Sequence, residues 1–357
     1  MTARGPIGGP HTHSGASVGR TMGLVAVALV PATAYGLYAF GWPALFLFSG
    51  TVVAALLWEA LSLKLAGKPV RLFLFDGSAL LTGWIVAMTL PPWAPWWIGV
   101  LGAFVAIVLG KHAFGGLGQN VFNPAMIARI FLLISFPVEM TQFLEPRPLL
   151  SPGAPGLAES LAIFVFGHAG FDAISSASLL GTVKTALGQG TALPDILSNS
   201  HGLLPLAIGA VPGSLGETSA VLLVLGGLFL LATRVITWHA PVAMIATMAA
   251  LSGGFHLADP ARFLDPATQL LSGTFLFAAF FIVTDYVTAP ATGTGKLIFG
   301  AGVAFLTFVI RTFAAYPEGI GFAVLLMNAT VPLIDHVVRP RIYGRTRSGE
   351  PIRYEER

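Results

Sequence analysis

The chain has 357 residues, 55% hydrophobic and only 10% charged, with a mean hydropathy of +0.80 and a net charge of +3. A soluble domain carries about 25% charged residues, so these few charges could not cover a water-facing surface, and the bilayer is the expected solvent. The absence of Cys excludes disulfides, thiolate zinc sites and cysteine-ligated iron–sulfur clusters within the chain, and so small a net charge points to no nucleic-acid partner.

Residues 1–20, "MTARGPIGGPHTHSGASVGR", are polar and glycine-rich. They lack the apolar core of a cleavable signal peptide and read as a tail, in which the His11/His13 pair suggests no metal site. A membrane-spanning helix needs about 20 mostly apolar residues. Such runs, bounded by Gly, Pro or charge, fall at 21–40, 42–63, 73–90, 96–114 and 121–137. Glu59 lies near the end of the second and Asp76 opens the third, in "FDGSALLTG". Between the fourth and fifth, "GKHAFGGLGQNVFNPAMIAR" is dense in Gly and Asn. It reads either as an irregular loop able to cradle a planar or anionic ligand or as a tight turn needing glycine for packing.

Residues 138–216 hold no clean span, only weakly apolar pieces near 158–168 and 203–211. Within them, "DAISSASLLGTVKT" crowds hydroxyl residues, Asp172 and Lys184 into a short stretch. Apolar runs resume at 217–234, 238–256, 268–285, 297–313 and 319–338, with Glu217 at the mouth of the first, Asp285 in "TDYVTAP" and Asp335 near the last end. Intramembrane carboxylates cost about 2.5–3.5 kcal/mol on insertion scales and normally face a cavity or a partner. Asp76 and Asp285, beside Gly or Pro and hydroxyls, read as ion-pathway residues or as helix-end carboxylates meeting interfacial water or a neighbouring base; Glu59 and Asp335 read as the latter. "ATGTGKL" lacks the first glycine and final hydroxyl of a phosphate loop. No catalytic triad or metal-ligand pattern occurs.

Ten spans with a cytoplasmic N-terminus place Arg4, Arg20, Lys64, Lys68, Arg71, Lys111, Arg234, Lys296 and six C-terminal arginines inside. Only Arg147, Lys184, Arg262 and Arg311 fall outside, and Arg129 lies within a span. That asymmetry obeys the positive-inside rule. The predicted fold is therefore an all-α polytopic membrane protein: tail 1–20, five helices in 21–137, a large outer loop 138–216, five helices in 217–338, and a basic tail 339–357. An odd number of spans per half makes the second copy inverted. "MTLPPWAPWWIGVLGAFVAIVLGKHAFGG" and "VTAPATGTGKLIFGAGVAFLTFVIRTFAA" share a proline break, a glycine-bearing helix and a terminal base, Lys111 or Arg311.

The runs "GPHTHSGASV", "DGSALLTGWIVAMTLPP", "KHAFGGLGQNVFNPAM", "PGSLGETSA" and "TDYVTAPATGTGKLIFG" carry a family likeness over nearly the whole chain. It resembles the RnfD family of membrane proteins from Rnf electron-transport complexes and, more distantly, the NqrB component of the sodium-translocating NADH:quinone reductase. The resemblance implies ten helices in two inverted repeats in a bacterial inner membrane, with both termini cytoplasmic and the large loop periplasmic. It implies a multi-component pump that moves electrons between NADH and ferredoxin, coupled to Na⁺ or H⁺. Its partners would be the other Rnf subunits and membrane lipid.

In that family FMN is joined through its phosphate to a hydroxyl residue by a flavin transferase that reads a motif resembling D-x-x-[ST]-G-A-[TS]. Asp172, Ser175, Ala177 and Ser178 match it, while Ser176 replaces the glycine and Ser178 the usual threonine. Ser178 is thus the expected attachment point for covalent FMN, with Lys184 nearby to meet its charge; a hydroxyl-rich turn satisfying its own backbone is the alternative. The resemblance also leaves room for a second, non-covalently held flavin. Two rivals to the redox role are an inverted-repeat transporter or channel, and a structural subunit without flavin. Lacking a nicotinamide site and iron–sulfur ligands, the chain is expected to be a translocase subunit that is catalytically incomplete alone.

Overall fold

The computed structural model describes residues 17–167, 178–191, 193, 196, 202–340, 344 and 350. Asp172, Ser175, His11, His13 and most of both tails lie outside the described residues.

Each of the ten apolar runs contains helix. The first two form one stretch, Val18–Leu65, interrupted at Gly41, whose φ of 74° and ψ of −158° are non-helical. Glycine has no Cβ to forbid that conformation. Val18 and Leu63 line the same cavity, so the chain doubles back at Gly41 and the stretch is a hairpin. The other helices long and apolar enough to cross a membrane are Trp96–Phe114, His239–Ala258, Gly293–Phe313 and Ile320–Val337. Ser78–Thr89, Pro124–Ser135 and Ala220–Ala232 are apolar but shorter. Leu157–Phe166 and Leu203–Ile208 occupy the weakly apolar pieces of the large loop.

Helix starts follow local chemistry. Ser17, Asn123, Ser178, Ser219, Asp265 and Thr292 each accept a hydrogen bond from a backbone amide in the first turn, satisfying a donor that has no partner within the helix. Pro124 and Pro266 follow such caps at the first helical position, where a missing amide costs nothing.

Close helix packing relies on small residues. A Cβ on Gly83 would stand 2.6 Å from the Ala55 Cβ, and one on Gly226 would stand 2.5 Å from the Ala28 carbonyl oxygen. The core around them holds Leu29, Phe40, Met88, Phe275, Phe277 and Phe299.

Two helices break inside this core. Ser78–Thr89 stops at Leu90, which is extended. The run 268–285 is divided into Pro266–Leu271, Phe275–Phe277 and a π turn, Ala278–Ile282. Backbone freed in an apolar medium must find protein partners. Buried arginines supply them: Arg129 donates to the Thr89 carbonyl, while Arg311 donates to the carbonyls of Gln269 (2.9 Å) and Ser272 (3.1 Å). At the second break Glu318 pairs with Arg311 (2.9 Å) and accepts from the Thr274 amide (3.2 Å). Arg129, which sequence reasoning left as an isolated charge within a span, is thus a cap for a broken helix.

Candidate functional site

Polar side chains gather at the end of the bundle where the Val18–Leu65 hairpin begins and ends. Gly77, with φ of 82°, turns the chain into Ser78–Thr89 and lets Asp76 fold back on that helix. Asp76 Oδ1 accepts from the Ser78 amide (2.7 Å) and from Ser78 Oγ (2.6 Å). Ser78 Oγ in turn accepts from Lys111 Nζ at 2.8 Å, and the same ammonium lies 2.9 Å from Glu59 Oε1. His112 Nε2 stands 3.0 Å from the other Glu59 oxygen. A continuous polar chain, Asp76–Ser78–Lys111–Glu59–His112, therefore crosses this end. Glu59, expected as a helix-end carboxylate meeting water or a neighbouring base, meets the base Lys111, with His112 as a second partner that the sequence did not assign to it.

Asp285 sits just beyond the π turn. Its carboxylate accepts from the Val287 amide (3.3 Å) and Thr288 Oγ1 (2.9 Å). It lines a cavity between the two halves of the chain, together with Ser78, Thr82, Lys111, Asn120 and Asn123. Asp76 lines the neighbouring cavity with Glu59 and His112. The two aspartates thus share one end of the bundle: Ser78 and Lys111, which line the cavity of Asp285, are hydrogen-bonded to each other and through Ser78 to Asp76. Asp335, by contrast, accepts from the Ala291 amide (3.1 Å), a contact from the last helix to the segment ahead of Gly293–Phe313. Glu217 is buried in the turn Leu215–Glu217 and accepts from Ser214 Oγ at 2.8 Å.

The glycine-rich segment does line a cavity. Leu117, Asn120, Asn123 and Pro124 face Phe280, Phe281 and Tyr286 across it. Asn328, 1% exposed, ties the two sides: its Oδ1 accepts from the Asn123 amide and its Nδ2 donates to the Thr288 carbonyl, both at 3.0 Å. Nothing in the sequence had singled out Asn328 or Ser78.

At the opposite end, Ser178 caps the helix Leu179–Gly188, its Oγ accepting from the Gly181 amide at 3.4 Å. Leu180, Val183, Lys184 and Leu187 line a cleft of about 530 Å³, whose other walls include Arg262, Phe263, Phe308, Arg311 and Phe313. That i, i+3, i+4, i+7 spacing puts the four on one helix face. Burial pulls the Lys184 ammonium below the usual lysine range. Its donors go to the carbonyls of Arg311 (3.0 Å), Tyr316 (3.0 Å) and Ile310 (3.5 Å). Lys184 therefore caps the C-terminal end of Gly293–Phe313, a favourable place for a cation. Ser178 and Lys184 belong to one short helix, and the lysine spends its donors on docking it.

A model of the NQR2, RnfD, RnfE family matches residues 7–344. A protein of Halorhodospira halophila, named as a component of an ion-translocating oxidoreductase complex, is 51% identical over 346 residues, covering 97% of each chain. Its namesake in Stutzerimonas stutzeri is 51% identical over 94% of this chain and 95% of its own, and that of Escherichia fergusonii is 42% identical over 94% and 97%. With likeness running through the broken helices, the polar end and the loop cleft alike, the chain belongs to the NQR2, RnfD, RnfE family.

Proposed function

We propose that the chain is the flavin-carrying membrane subunit of an Rnf-type ion-translocating oxidoreductase, in which electron transfer between NADH and ferredoxin is coupled to movement of Na⁺ or H⁺. Family membership supports the complex. The observation that carries the flavin is the position of Ser178, at the head of a helix whose side lines an aromatic, cation-bearing cleft.

The residues there suit FMN. The Ser178 hydroxyl makes one long hydrogen bond and is open to ester formation. The first-turn amides of Leu179–Gly188 favour a phosphate. Phe263, Phe308 and Phe313 offer apolar cover for a planar ring, and Lys184 fixes the helix against the membrane body. FMN would supply electron transfer; the chain binds and orients it. A second, non-covalent flavin would find its walls in the cavity bounded by Asn120, Asn123, Phe280, Phe281 and Tyr286.

The ion route in this reading passes the end carrying Asp76 and Asp285. The inverted five-helix repeats are supported by the helix in each of the ten runs and by a buried arginine at each of the two breaks, Arg129 at Thr89 and Arg311 at Gln269 and Ser272. The chain would sit in a bacterial inner membrane with its loop cleft periplasmic, bound to the other members of the complex and unable to turn over alone.

The test is mass spectrometry of the tryptic peptide ending at Lys184, from cells that also make the flavin transferase. An added FMN mass on Ser178, lost in Ser178→Ala and kept in Ser178→Thr, is the expected result. An unmodified peptide, from cells that flavinylate a partner protein, refutes covalent attachment. A role without flavin is favoured by one observation: Ser178 already serves as a helix cap, a sufficient role for a hydroxyl there.

A further inference from the structure

We propose that Arg262 is the cation that meets the ring end of a flavin tethered at Ser178, an inference that rests on the flavin reading above. Three cations line the cleft. Lys184 Nζ is committed to three carbonyls. Arg311 is committed to Gln269, Ser272 and Glu318. Among the described residues, the Arg262 guanidinium makes one contact, with the Phe263 ring, its Cζ 5.8 Å from the centroid. That ring contact leaves the N–H donors of the exposed guanidinium for a ligand.

The arrangement also separates the two ends of the cofactor. A phosphate on Ser178 stays at the head of the helix, where the amides lie. The lining stripe runs from Leu180 to Leu187, and a ten-residue helix is about 15 Å long. A ribityl chain that follows this stripe brings the ring among the other lining residues, which include Phe263, Phe308, Phe313 and Arg262. Oxidised flavin offers carbonyl and ring-nitrogen acceptors along its pyrimidine edge, and reduction adds negative charge there. A guanidinium can donate to that edge in both states and favours the reduced one more. The sequence pointed to Lys184 as the counter-charge of the phosphate; its donors go to carbonyls instead, and Arg262 meets the other end of the cofactor.

The test uses the full chain carrying Ser178→Ala, titrated with FMN and followed by quenching of flavin fluorescence. Adding Arg262→Gln should raise the Kd about tenfold, since a hydrogen bond from a charged donor contributes roughly 1.5–3 kcal/mol and about 1.4 kcal/mol is tenfold. Arg262→Lys should recover part of the loss. In the complex with Ser178 intact and flavinylated, Arg262→Gln should make the flavin harder to reduce in a dithionite titration, and Arg262→Lys should restore it in part. Failure of the Arg262-bearing chain to bind FMN overturns the proposal, as do equal affinity with Gln or an unchanged potential. A wild-type chain without flavin mass on Ser178 defeats the attachment reading instead; the FMN titration needs no ester and still decides the role of Arg262.

Discussion

Lys111 Nζ lies 2.9 Å from Glu59 Oε1, with the two side chains 3% and 2% exposed. Removing one partner of such a buried pair strands the other charge and typically costs about 3–5 kcal/mol. Lys111→Met should therefore lower the thermal midpoint of the detergent-solubilised chain sharply. Glu59→Gln combined with Lys111→Met should recover much of the loss, because no unpaired charge remains. A single variant as stable as the parent would show that the pair contributes nothing.

Lys184 holds the Ser178 helix by donating to carbonyls at the end of Gly293–Phe313. Lys184→Met removes those hydrogen bonds, at roughly 1 kcal/mol for acceptors that water can partly reach. Amide hydrogen exchange should rise in residues 179–188 and stay unchanged in His239–Ala258. Lys184→Arg should keep most of the protection. Equal exchange in the Met variant would mean that apolar contacts alone dock the helix.

Asp76 and Asp285 should matter more to ion movement than to folding. Asn is nearly isosteric and retains a carbonyl acceptor, so the bonds from Ser78 and Thr288 survive in Asp76→Asn and Asp285→Asn. Each variant should assemble at normal levels, while ion uptake driven by electron transfer falls at least several-fold. Full pumping in both would leave them as turn-forming carboxylates.

Both termini should be cytoplasmic. A reporter fused after Arg357 should be active only in a cytoplasmic assay, and one placed in the loop 138–216 only outside. Activity of the C-terminal fusion in the periplasm would overturn ten crossings.

Much of this was legible from composition and local pattern. Few charges spread through long apolar runs can only mean helices in lipid, and Ser, Asn, Asp or Thr ahead of such a run marks its start because first-turn amides need an acceptor. Gly41 separated the first two runs in the sequence, and the helical stretch breaks at the same residue. "MTLPP" and "VTAP" both reach past a helix end, after Thr89 and after Ile282. Hydropathy could not show that the run 268–285 is divided, since every residue near Gly273 is still apolar or small.

Partnership was the part only the tertiary structure decided. Glu59 and Lys111 are far apart in sequence, as are Asn123 and Asn328, and no local rule pairs them; the helices that carry them approach closely at Gly99, against Thr51, and at Gly321, against Ile130. Lys184 shows the limit most plainly. Its nearness to Ser178 along the chain suggested a phosphate partner. Three carbonyls brought to it from Ile310, Arg311 and Tyr316 claim its donors instead, because a half-buried ammonium must satisfy its hydrogen bonds with whatever the fold places nearest.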